Sequence, residues 1–113
     1  MRSIRNKVTL IGNLGAKPEI REFESGNKLA TFRLATNDVR YNAKGEKVTE
    51  TTWHRLKAWG KLADTIAKYT DTGQEIAVEG RLVTNSFKNK DGEDVNLTEI
   101  EVNDFMFLRK KAG

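Results

Sequence analysis

Thr52-Trp53-His54-Arg55-Leu56-Lys57-Ala58-Trp59-Gly60-Lys61 is the stretch on which the reading of the whole chain turns. In a β-strand, successive side chains point to opposite faces. One face then carries Trp53, Arg55, Lys57 and Trp59, and the other carries His54, Leu56 and Ala58. A core face would not hold two cations, and an ordinary solvated face would not show two tryptophans. Two readings fit this stripe. Aromatics interleaved with cations suit a single-stranded nucleic acid, whose bases stack on rings while its phosphates pair with Lys and Arg. An amphipathic strand leaning its tryptophans over a barrel rim would look the same.

Working outward, Gly60 marks a change of element, and Lys61 to Tyr69 reads as the one helix. Leu62, Ile66 and Tyr69 recur at i, i+4 and i+7 on a single face. Thr72-Gly73 supplies a glycine suited to its C-terminal cap. Glu75 to Thr84 returns to strand, with Ile76, Val78 and Leu82 on one side and Gly80 at a bend or bulge. Asn85 to Asp94 is a charged hairpin, and Val95 to Leu108 a final strand made irregular by Asp104. Upstream of the opening stretch, Asn37 to Val48 is a polar excursion read as a long hairpin loop. Lys28 to Thr36 alternates, with Ala30, Phe32 and Leu34 inward and Thr31 and Arg33 outward. Before it come a turn at Ser25-Gly26-Asn27, a short run Glu19 to Phe23 and a break at Gly15-Ala16-Lys17-Pro18. Lys7 to Leu14 is the first strand, and Ile11 on its second face suggests that this face is partly covered.

This order places one helix between the third and fourth strands of an all-β chain. That is the OB-fold, a five-stranded Greek-key barrel that binds oligonucleotides across its second and third strands. The opening stretch becomes strand 3, with its aromatic and basic face on the binding side. A chain of 113 residues makes one domain, taken as residues 1–109 followed by a short basic end at 110–113. Twenty Lys and Arg against 16 Asp and Glu leave a net charge of +4, which permits a polyanionic partner without requiring one. The absence of cysteine excludes disulfides, thiolate metal sites and cysteine nucleophiles. No apolar run opens the chain and none approaches membrane-spanning length, so an intracellular, cytoplasmic location is expected.

Catalytic constellations are missing. His54 is the sole histidine and lies on the inward face, where packing or an interface suits it better than acid–base work or metal ligation. Asp91-Gly92-Glu93-Asp94 lacks the acidic spacing of a calcium loop. Gly60-Lys61 has Arg55 where a phosphate-binding loop needs its first glycine. No enzyme, metal or cofactor is implied. The binding features are richer: Tyr41 lies beside Arg40 and Lys44, and Phe87 beside Lys88 and Lys90. Nothing resembles an ordered set of base-edge readers, so single strands of little sequence preference are the expected ligand. An RNA-binding OB module such as an RNA chaperone is the alternative.

Six segments then occur in order: Asn6-Lys7-Val8-Thr9-Leu10-Ile11-Gly12-Asn13-Leu14-Gly15, Pro18-Glu19-Ile20-Arg21, Leu34-Ala35-Thr36, Trp53-His54-Arg55, Gly60-Lys61-Leu62-Ala63 and Val78-Glu79-Gly80-Arg81-Leu82. Together they resemble the bacterial-type single-stranded-DNA-binding proteins, from about Asn6 to Phe107. The resemblance implies a homotetramer that coats single-stranded DNA in replication, recombination and repair, at the bacterial nucleoid. It implies stacking by Trp53, Trp59 and Phe87, with Tyr41 the nearest candidate for a fourth aromatic. It implies basic groove positions at Arg55 and Lys61; alternation adds Arg33 and Lys57, and Lys88 flanks Phe87. His54 matches a position associated with assembly, and the first strand, with Val8 and Leu10, would pair edge to edge between subunits. The family's acidic tail, which recruits replication and repair proteins, has no counterpart in the basic end at 110–113.

Overall fold

The described residues form seven elements: strands β1 (Val8–Leu14), β2 (Glu19–Glu22), β3 (Lys28–Tyr41) and β4 (Lys47–Trp59), helix α1 (Lys61–Tyr69), then β5 (Glu75–Lys88) and β6 (Asp94–Arg109). They come from a computed structural model that describes residues 4–109, so the basic end at 110–113 lies outside the described residues. The strands are ordered β1-β5-β6-β4-β3, and β1 pairs back onto β3 to close a five-stranded barrel; β2 rides outside on β3. Only β4 and β6 run parallel, and α1 and β5 form the crossover that a parallel pair requires. This is the expected OB-fold.

The inward parity of each strand supplies the core: Leu14, Phe32, Leu34, Leu56, Ala58, Ile76, Val78, Ile100 and Val102, with Ile66 of α1 packed among them. In α1, Ala63 and Ile66 are buried and Leu62 is half-buried, but Tyr69 departs from the expected face and stands exposed. Its ring instead carries the Lys68 ammonium at 5.3 Å. The helix also ends earlier than Gly73 suggests. Thr70 is already extended, and its N–H donates to the Ile66 carbonyl. Gly73, at φ 82°, makes the following turn and donates its N–H to Leu14 O at 2.8 Å.

Two glycines allow strands to approach closely. A Cβ on Gly12 would lie 2.2 Å from the Ala35 carbonyl oxygen, where β1 crosses β3, and one on Gly80 would lie 2.2 Å from that of Glu101. At Gly80 the register slips: Glu79 faces Asp104 but Gly80 faces Val102, which leaves Asn103 as a bulge. The irregularity expected at Asp104 is therefore one residue earlier.

The larger departure concerns the two polar hairpins. Neither is a long loop. β3 runs on to Tyr41 and β4 starts at Lys47, while β5 runs on to Lys88 and β6 starts at Asp94. Two β-ribbons thus leave the barrel, and both of their faces are largely solvated, so no apolar alternation marks them as strands. Polar cross-strand pairs hold them, among them Thr51 Oγ1 to Asn37 Oδ1 at 2.7 Å and Asn85 Nδ2 to Glu99 Oε1 at 2.7 Å.

Both ribbons are closed by the same five-residue turn, Asn42-Ala43-Lys44-Gly45-Glu46 and Asn89-Lys90-Asp91-Gly92-Glu93. In each, the first asparagine's Oδ1 accepts the third and fifth N–H groups at 2.9–3.0 Å. Gly45 (φ 79°) and Gly92 (φ 78°) take the left-handed position that the turn requires. Replacing Asn42 with alanine should remove two such bonds and loosen the β3–β4 ribbon by about 1 kcal/mol. Amide exchange there should quicken while the barrel amides stay protected.

Candidate nucleic-acid interface

The outward parity of β2, β3 and β4 forms rows set by register. Arg21, Leu29 and Trp59 make one row; Glu19, Thr31 and Lys57 the next; then Arg33 opposite Arg55, and Ala35 opposite Trp53. A groove of about 520 Å³ runs over the middle of this face, lined in part by Gly15, Lys17, Arg33, Trp53, Arg55 and Glu99. Trp53 and Trp59, 55% and 41% exposed, stand at either side of the arginine row.

Like charges directly opposite each other on a sheet destabilise it. Arg33 and Arg55 nevertheless face each other, both exposed, and no carboxylate among the described residues pairs with either. Lys57 is different. Its side chain is 13% exposed and its Nζ lies 3.7 Å from Glu99 Oε1 on β6, so it ties two strands together rather than waiting for an anion. Lys28 is likewise engaged: Asp64 in the first turn of α1, 3.1 Å away, raises the Lys28 pKa by hydrogen bonding and then by its charge.

Trp59 is not a lone ring. Phe23 stacks against it with centroids 5.8 Å apart and planes at 29°, and the Arg21 guanidinium lies 5.1 Å from the Phe23 centroid. The sequence pointed to neither Phe23 nor Arg21; the Ser25-Gly26-Asn27 turn that folds β2 back on β3 was the only signal. Gly15 and Lys17 were also missed, because the β1–β2 connection reaches the groove only through barrel closure.

The ribbons extend the same face. Tyr41, 70% exposed, lies opposite Lys47 near the tip of the β3–β4 ribbon, on the parity of Ala35 and Arg33. Phe87, opposite Val95, has the parity of Val83 and its partner Glu99, a groove residue. Lys88 faces Asp94 on the other side of the β5–β6 ribbon from Phe87. Lys61 is exposed at the start of α1, past the turn that follows Trp59.

The proposed assembly residues lie elsewhere. His54 is half-buried at the barrel end, its Nε2 2.9 Å from Thr36 Oγ1. Val8 and Leu10 pack inward against the core, so only the backbone edge of β1 could serve pairing. Along Val8–Gly12 that edge has β5 on one side and, among the described residues, no strand on the other. Ile11, expected to be partly covered, is 56% exposed in this chain and lines up across the sheet with Ala77 and Met106.

The sequence profile of the single-strand binding protein family matches residues 5–108. The chain is 44% identical over 107 residues to single-stranded DNA-binding protein 1 of Chlorobaculum tepidum, covering 94% of this chain and 66% of that protein. It therefore spans just under two thirds of that relative's length. Among solved structures, it is similar to a Plasmodium falciparum SSB in complex with ssDNA. The TM-score is 0.84 and identity 34%, over 96% of this chain and 98% of that one. A deletion mutant of the single-stranded DNA binding protein from Thermus aquaticus is also similar, with TM-score 0.80 and 30% identity over 92% of this chain and 50% of that one. Barrel, outward face and a family match over nearly every described residue agree: the chain belongs to the single-strand binding protein family.

Proposed function

We propose that this chain binds single-stranded DNA with little sequence preference, as a binding protein and not an enzyme, and that residues 1–109 are the binding unit. The unmatched Arg33–Arg55 pair between two exposed tryptophans carries the reading. Phosphates passing over it would relieve the repulsion, while bases stack on Trp53 and Trp59 and, along the ribbons, on Phe87 and Tyr41. Stacking and ion pairing need no cofactor. DNA is favoured over RNA by the family and by the ssDNA-bound Plasmodium relative.

Titrating oligo-dT into the protein should quench tryptophan fluorescence strongly; preference for duplex DNA would sink the proposal. Competition with matched single-stranded RNA separates it from an RNA chaperone. Each phosphate neutralised on a single strand contributes about 0.7 to the log–log salt slope. Replacing Arg33 and Arg55 together with glutamine should therefore flatten that slope by roughly 1.4, two phosphates' worth.

The biological setting follows from the family: coating of single strands in replication, recombination and repair, in the bacterial cytoplasm at the nucleoid. No described helix is long and apolar enough to cross a membrane. The unpaired edge of β1 and the apolar row Ile11–Ala77–Met106, exposed at Ile11 and Met106, support a homotetramer. Light scattering at micromolar protein should give a tetramer mass, and a monomer mass would refute the assembly alone.

A further inference from the structure

Trp53 lies against a residue with no side chain. An ideal Cβ built on Gly15 would sit 2.5 Å from Trp53 Cζ3 and 2.9 Å from Cη2. Carbon atoms in contact settle at about 3.5–4.0 Å, so a single methyl group at this position overlaps the outer edge of the indole. Backbone freedom does not explain the glycine, since Gly15 is not among the residues with positive φ. Space does.

The wall that Gly15 presents is also fixed. Its N–H donates to the Arg33 carbonyl at 3.1 Å, and Leu14 just before it exchanges bonds with the α1–β5 turn, donating to Gln74 O at 3.0 Å and accepting from Gly73 N–H at 2.8 Å. Across the strand pair, Trp53 faces Ala35, a small and buried residue. The indole therefore has a bonded backbone beside it, a methyl group opposite it and more than half its surface free.

We propose that Gly15 is a positioning residue for Trp53: its bare Cα sets the pose in which the indole meets a base. The inference rests on the reading of this groove as a single-strand site. A ring already held in its binding pose loses little rotamer freedom when the ligand arrives. Because the wall is bonded to β3 and to the α1–β5 turn, an added methyl group turns the ring, not the backbone.

The test measures oligo-dT affinity and thermal unfolding for the wild type, Gly15→Ala, Trp53→Ala and the double variant, together with the emission of Trp53 in a Trp59→Phe background. Gly15→Ala should weaken binding about fivefold or more, the lower end of what one stacked base contributes. The Trp53 emission should shift while the melting temperature stays near that of the parent. In the Trp53→Ala background the same change should alter affinity by less than about twofold, since coupling vanishes once the ring is gone. Should Gly15→Ala unfold the protein, combining it with Trp53→Phe, which lacks the outer benzo edge, should restore both folding and the affinity of Trp53→Phe alone. An affinity loss that persists undiminished without the Trp53 ring would overturn the proposal, as would unchanged binding by Gly15→Ala. If the wild type itself fails to bind oligo-dT, the groove assignment falls first, which keeps the two failures apart.

Discussion

Trp53→Ala should weaken oligo-dT binding by about 1–3 kcal/mol, roughly 5- to 150-fold, and should remove a large part of the fluorescence quench. The ring is more than half exposed, lies outside the core cluster and flanks the only cross-strand arginine pair of the face. Its loss therefore costs the ligand a stacking surface while leaving the barrel's packing intact. The melting temperature should fall by no more than a few degrees, as for a surface change worth well under 1 kcal/mol. Phe87→Ala should act in the same direction but less strongly, because its ring sits on a ribbon that the core does not brace. Affinity unchanged by Trp53→Ala would remove the stacking role assigned to this face.

Gly12→Ala should do the opposite, costing stability before it affects binding. The new methyl group would meet a backbone oxygen at 2.2 Å, at the crossing where Asn13 and Leu14 pair with Ala35 and Leu34 to close the barrel. Neither strand can yield without opening that closure. Overpacking of this kind typically costs about 1–3 kcal/mol, and a clash with backbone belongs at or above the upper end. The expected drop in melting temperature is then roughly 10 °C or more. The contrast with Gly15 is informative: there the clash is with a ring edge that can rotate, so function should suffer and stability should not. A Gly12→Ala protein melting within about 2 °C of the wild type would show that the crossing is looser than the structure has it.

The barrel was legible because burial enforces period two. Phe32, Leu34, Leu56 and Ala58 were assigned inward from alternation and are all in the core. Of Ile76, Val78 and Leu82, placed together on one face, the first two are in the core and Leu82 is exposed. The ribbons were illegible for the same physical reason, since residues such as Asp38, Arg40, Glu50 and Thr51 face water on either side and leave no pattern. In the site, alternation placed Trp53, Arg55, Lys57 and Trp59 on one face correctly, but it could not say what lies across from them. Register decides that Arg55 meets Arg33, and the β4–β6 pairing, which sets Lys57 opposite Glu101, brings its ammonium within reach of Glu99; both depend on pairing between distant segments. The Phe23–Trp59 stack is legible only once β2 is paired with β3 and β3 with β4, and the Gly15–Trp53 contact only once the barrel is closed.

Closure also has a consequence in time. β1 is made first, yet its long-side partner is β5, with Val8 opposite Gly80 and Gly12 opposite Ile76. A ribosome working at about 5–20 residues per second leaves β1 waiting several seconds for that partner to be synthesised. Meanwhile the β3–β4 hairpin, whose strands are near neighbours in sequence, can form as soon as it emerges. The emerging chain thus carries Val8, Leu10 and Ile11 on an unpaired strand until β5 has been made. Nascent copies on one messenger are then at their most prone to mispair, and slowing translation between the β3–β4 turn and Gly80 should raise the aggregated fraction more than slowing it beyond Gly80.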